Sequence, residues 1–137
     1  MVTKKLRVVH YLNQFFGGVG GEDKANVGPR IGDGPSGPGR AIQATLGERG
    51  EVVATVMCGD NYFVENIEKA TAGIVDLIRP FQPDVLVAGP AFEAGRYGVA
   101  CGAVSKAVKE QLGIPVVTGM YDENPGVDLF HKEVFIV

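Results

Sequence analysis

Hydrophobic and polar positions repeat with two periods along the chain. Five short runs are rich in β-branched residues: 6–12 (LRVVHYL), 51–58 (EVVATVMC), 84–90 (DVLVAGP), 115–121 (PVVTGMY) and 133–137 (EVFIV). Several are apolar almost without interruption, as strands buried on both faces are. Between them the step changes to three and four residues. Phe63, Ile67, Ala70, Ile74, Leu77, Ile78 and Phe81 mark one face of a helix over 61–81, stopped by Pro80 and Pro83. Val99, Ala103, Val104, Ala107, Val108 and Leu112 repeat that pattern over 97–112, with Gly113 and Pro115 to end it. A shorter helix fits 38–47, closed by Gly47.

Strict alternation of strand and helix predicts one α/β domain over 1–137. It has three layers: a mostly parallel five-stranded sheet with helices on both faces, Rossmann-like or flavodoxin-like. The expected strand order is 2-1-3-4-5. No helix pattern follows the fifth run, so that strand either closes the sheet or the chain is one piece of a longer protein.

Composition narrows the function classes. Hydrophobic residues make up 45% of the 137, enough for a core, and the net charge is −3 with scattered basic residues. Neither nucleic acid nor an anionic membrane is expected as a partner. No apolar run approaches the ~20 residues of a spanning helix. The N-terminal run MVTKKLRVVHYL alternates with polar groups and lacks a small-residue cleavage site, so it reads as a strand and not as a signal peptide. Cys58 and Cys101 form no CxxC pair, which suits a reduced, cytoplasmic setting. Glycine is the outlier, with 20 residues crowded toward 17–50.

In parallel sheets, ligands bind beyond the carboxyl ends of the strands. Four such ends carry NQFFGGVGGEDK, CGDNYFVEN, GPAFEAGRYG and GMYDENPG, whereas the opposite ends carry plain turns such as GERGE and RPFQPD. That asymmetry predicts a functional rim. Each residue also has a structural use. Asp60 or Asn61 suits a helix cap, Glu65 suits a helix dipole, and Cys58 and Cys101 suit small buried positions. Arg96 stands at the start of a helix, where it opposes the dipole. It suits either a small carboxylate or phosphate, or a salt bridge to Glu93 or to an acid of a loop.

The glycine-rich loop fails both nucleotide fingerprints. Asp23 stands where GxGxxG needs its third glycine, and Asp23 instead of glycine precedes Lys24. About 25 connecting residues follow the first strand, too many for a plain connection, so a functional, partner-facing or mobile loop is expected. His10 and His131 have no ligand spacing, so no metal site is expected.

Five blocks in order, VVHYLNQFFGGVGGEDKA, GPGRAIQ, VVATVMCGDNYFVEN, PDVLVAGPAFEAGRYGVACG and GIPVVTGMYDENPGVD, resemble one family over essentially the whole chain. It is the selenoprotein subunit of component B of glycine, sarcosine and betaine reductases, and the likeness is to its N-terminal region. The resemblance implies an oxidoreductase of anaerobic amino-acid fermentation. A pyruvoyl group on a partner subunit activates the substrate amine, and a selenocysteine displaces it. The carboxymethyl group passes to selenoprotein A, acetyl phosphate is released, and thioredoxin supplies the electrons. Family members are longer, and their selenocysteine lies beyond this region. The chain is therefore expected to be inactive alone, with no cofactor of its own. Neither Cys58 nor Cys101 looks like a substitute nucleophile, which leaves both as weak redox candidates.

Against that background, Arg96 is the first choice for the substrate carboxylate. Asp60, Asn61, Glu65, Glu123 and Asn124 are candidates for the polar contacts, with Tyr62, Tyr97 and Tyr121 as aromatic walls. Phe15, Phe16, Gly17, Gly18, Gly20 and Gly21 form the loop that meets substrate or partner. The expected partners are the pyruvoyl-containing subunit, selenoprotein A and a small amino acid, and self-association stays open. Two other readings compete: an assembly module without catalysis, and a flavodoxin-like nucleotide or flavin module.

Overall fold

A computed structural model describes residues 4–137; residues 1–3, part of the N-terminal run weighed as a leader, lie outside the described residues. Strand β1 (Leu6–Asn13) is central. It pairs in parallel with β3 (Gly50–Cys58) on one side and with β4 (Val85–Ala88) on the other. Beyond β4 lie β5 (Val116–Thr118) and β6 (Phe135–Ile136), both parallel. These are the five expected strands, in the expected order.

A sixth strand corrects the count. β2 (Arg30–Asp33), drawn from the glycine-rich segment, pairs antiparallel with β3 and completes the order β2-β3-β1-β4-β5-β6. Its residues are exposed or half-buried. A solvated edge strand carries no apolar run to announce it.

The helices divide unequally between the faces. Helix α1 (Gly39–Leu46) covers the face of β1 that bears His10, whose ring lies against Gly39. The opposite face bears Tyr11, which meets Phe63 and Tyr97. On it lie α2 (Asp60–Glu65), α3 (Ile67–Ile78) and α4 (Gly95–Leu112), with α5 (Pro125–Phe130) packed on α4. His10 is fully buried; Nε2 meets Gly89 O at 2.6 Å, and burial lowers its pKa, so the ring is neutral at neutral pH.

The single helix expected over 61–81 is broken. Asn66 leaves helical geometry (φ −139°, ψ 45°), its side chain donates to Tyr62 O at 3.1 Å, and its carbonyl accepts from Ala70 N at 2.7 Å. An asparagine offers the backbone an alternative partner, which is how it ends one helix and starts another. The break also swings Ile67 out of the predicted apolar face into solvent.

Helix α5 was not anticipated. Asn124 caps it, accepting from Gly126 N at 3.0 Å, and Pro125 takes the first helical position. Asn124 Nδ2 also donates to Phe92 O and Ala94 O, each at 3.1 Å. α5 lies so close to α4 that a Cβ on Gly98 would overlap the Asn124 amide. Gly98→Ala should therefore destabilise the domain by ~1–3 kcal/mol through forced displacement of that amide, measured by urea unfolding. Gly32→Ala, where a Cβ meets open space, is the control and should be near neutral.

Candidate functional site

The site starts at the end of β1. Asn13 Oδ1 accepts from Phe16 N (2.9 Å), and Gln14 O accepts from Val19 N (2.9 Å) and Gly20 N (3.2 Å), so the chain folds back on itself directly after the strand. Gly17 donates to Asn13 O at 2.9 Å, and Gly18 takes the left-handed φ of 78° that this tight reversal needs. The same two amides reach across to the turn after β3. Asn13 Nδ2 donates to Asp60 Oδ2, and Gln14 Oε1 accepts from Asp60 N, both at 3.0 Å. The turn in turn anchors the long loop: Gly59 N donates to Val27 O (2.7 Å) and Tyr62 N to Ala25 O (3.0 Å). Ala25 passes so close that a Cβ at residue 59 would collide with its carbonyl, so only glycine fits.

Asp60 is 5% exposed, and its Oδ1 has no partner among the described residues. Burial pushes its carboxyl above the usual carboxylate range; the Asn13 hydrogen bond and then the Arg96 charge oppose this, and the Glu22 charge adds to it. The expected cap role does not apply, since Gly59 is the capping position and no side chain caps α2.

Arg96 stands in the first turn of α4, one residue inside it. One guanidinium nitrogen donates to Asn61 Oδ1 and another to Glu22 Oε1, the latter at 2.6 Å. Of its alternative uses, the structure shows the salt bridge to a loop acid, with Glu22 as the partner and not Glu93. The N–H groups of Gly95, Arg96 and Tyr97 find no acceptor among the described residues, as is usual for a helix start. Gly95, Arg96 and Tyr97 line a cavity of about 460 Å³ together with Asp60, Asn13 and Gln14. Aromatic rings make its apolar wall: Phe16 stacks on Tyr97 (5.8 Å, 27°) and Phe15 meets Phe16 edge-on (5.2 Å).

Of the residues expected at the site, Asp60, Arg96, Tyr97, Phe15, Phe16 and Gly21 line this cleft, and Asn61 joins through Arg96. Others lie elsewhere. Tyr62 packs against Gly28 of the long loop. Glu65 is exposed beside a separate shallow recess. Tyr121 and Glu123 are exposed outside the cleft, and Asn124 is consumed as the α5 cap. Three strand-end segments thus meet where four were expected. The fourth does not line the cleft but braces its rim from behind, through Tyr121 against Phe92 (5.9 Å) and Asn124 Nδ2 donating to Phe92 O and Ala94 O. Cys58 and Cys101 are buried behind the cleft, and burial raises both thiol pKa values, Cys58 to about 12. The sequence reading missed Asn13, Gln14 and Glu22; the adjacent amides closing an apolar strand were the available signal.

The fold is an α/β domain with a charged cleft at the carboxyl ends of its parallel strands, the place where open sheets of this kind commonly take small ligands. The particular family is shown by sequence: the chain belongs to the glycine/sarcosine/betaine reductase selenoprotein B family, whose sequence profile matches residues 5–137. It is 60% identical to the sarcosine reductase complex component B subunit beta of Peptoclostridium acidaminophilum, over 98% of this chain and 31% of the relative. It is 59% identical to the glycine reductase complex component B subunit gamma of Symbiobacterium thermophilum, over 96% of this chain and 31% of the relative. Identity to the betaine reductase complex component B subunit beta of P. acidaminophilum is 46%, over 96% and 30%. The chain therefore spans about a third of the length of these curated relatives. No solved structure matches it. Among the described residues, no helix is long and apolar enough to cross a membrane.

The raised pKa of Asp60 fixes a sign. Between the ordinary carboxyl pKa and the raised folded value, the folded state binds a proton that the unfolded chain has released, so the burial cost of Asp60 is absent below that window, grows as pH rises through it and is complete above the folded pKa. Asp60→Asn should raise the melting temperature near neutral pH, with the gain shrinking as the medium is acidified. The check is a series of thermal melts of both proteins across that range.

Proposed function

We propose that the cleft binds the zwitterion of glycine or of an N-methylated relative, and that the chain is the N-terminal, substrate-side domain of a component B subunit. One observation carries this reading: a single cavity joins an arginine at a helix start to a buried carboxylate whose second oxygen is unpaired. The substrate carboxylate would take the place of Glu22 on the Arg96 fork, assisted by the free N–H groups of α4. Its ammonium would complete Asp60. A methylated ammonium gains cation–π attraction of about 0.5–2 kcal/mol against an aromatic wall such as Phe15 and Phe16.

In this reading the chain binds and orients, and the bond-breaking groups come from elsewhere in the complex. A pyruvoyl group on a partner subunit would supply amine activation, and a selenocysteine would supply the nucleophile. Cys58 and Cys101 do not suit that nucleophilic role, because both are buried with raised pKa. Turnover by the 137 residues alone is not expected.

The test is NMR titration with ¹³C-labelled glycine, sarcosine and betaine. Arg96→Gln should weaken binding roughly tenfold or more, the scale of one charge-assisted hydrogen bond. Glu22→Gln should strengthen it by freeing the guanidinium. Equal affinity for the wild type, Arg96→Gln and Asp60→Asn would exclude the cleft as the amino-acid site.

A second reading has its own support. Phe15, Phe92 and Tyr121 are exposed along the rim, and exposed aromatics of this kind suit a partner interface. Docking of the pyruvoyl-containing subunit or of selenoprotein A there predicts that Phe92→Ser with Tyr121→Ser, neither of which lines the cleft, abolishes capture of the partner in a pull-down. Glycine affinity should stay within about threefold of the wild type, below the scale of one lost charged contact. Capture that survives both changes would remove this reading.

A further inference from the structure

The two faces of the sheet are covered unequally, and the inequality is confined to β4, β5 and β6. One cross-sheet row shows it. Thr55, His10, Val87, Val117 and Phe135 are register partners in sequence across five strands. Register partners project to the same face. Thr55 and His10 are buried, close to the α1 side. Val87 and Val117 are only half-buried, and Phe135 is 67% exposed. The neighbouring row on the other face behaves differently: Ala88 and Thr118 stay buried, on the side that carries α4 and α5.

The uncovered strip forms a groove of about 220 Å³. Ile42 of α1 makes one wall, Val87 and Val117 the floor, and Pro90 and Val137 the far end. No charged side chain lines it. Parallel sheets are stable with both faces covered, because their strands are apolar on both. A face with this row of valines and a phenylalanine needs an apolar neighbour beside α1.

We propose that this groove seats an amphipathic helix from the rest of the component B subunit, its apolar side laid on Val87, Val117 and Phe135 beside Ile42. Length is the argument for that occupant over a second copy of this chain. The relatives match along nearly all of this chain, yet about two thirds of their own length lies outside the match. In those relatives the matching region is made together with that further polypeptide, an intramolecular neighbour at high effective concentration, and the proposal rests on the reading of this chain as part of such a subunit.

Cysteine protection tests the proposal. Cys58 and Cys101 are buried, so Phe135→Cys gives this chain one accessible thiol. It should react quickly with maleimide. A cysteine at the aligned position of the intact sarcosine reductase relative should react at least tenfold more slowly, read at that residue by peptide mass spectrometry. Equal rates would overturn the proposal. Sedimentation of this chain is the second arm: a monomer is expected, and a dimer abolished by Val117→Lys would overturn it by making a second copy the occupant. Thermal melts guard the variants. Val117→Lys should leave this chain folded, because the side chain is half-exposed here, whereas the aligned change in the intact relative should lower its melting temperature. No such difference between the two proteins would count against the proposal.

Discussion

The last residue of the central strand, Asn13, and the adjoining Gln14 hold Asp60 by its side chain and by its backbone N–H. β1 can anchor other elements because it cannot shift: strands pair with it on both edges, and its side chains are buried on both faces. Fixing Asp60 fixes the start of α2, and the Gly59 turn then pins the long glycine-rich loop at Ala25 and Val27. The loop carries Glu22 to Arg96, and the cleft is closed on that side. One pair of amides therefore connects the rigid middle of the sheet to the most glycine-rich part of the chain.

Electrostatics within the cleft are unbalanced. An ionised carboxylate buried with only one hydrogen-bonded oxygen is costly, and the nearby guanidinium offsets part of that cost while being shared with Glu22. The exposed Arg96–Glu22 pair contributes little stability of its own. Such a contact can be exchanged for a similar one with small net change in energy. An ionised Asp60 is thus expensive for the fold, a cost of the kind that proteins carry where a site competes with stability.

Much of the architecture was legible because it rests on burial. The five parallel strands and their order, α1 and α4 follow from apolar runs and helical spacing. Elements without an apolar signature stayed hidden. β2 is polar because it borders solvent, and α5 is too short for a period. Asn66 broke a regular apolar face by hydrogen-bonding its own backbone. The site divided in the same manner. Residue types pointed to Arg96, Asp60 and Phe16, yet the partner that holds Arg96 lies in a loop whose path no pattern predicts. Asn124 was ambiguous because capping and ligand binding call for the same side chain; the structure shows it capping α5, outside the cleft.

The two thiols have a practical corollary. Each is shut inside packed helix and sheet, held in its unreactive protonated form, with no disulfide between them. For a chain from a family named for a selenoprotein, neither thiol of this portion is presented to an oxidant or an alkylating reagent while the domain stays folded.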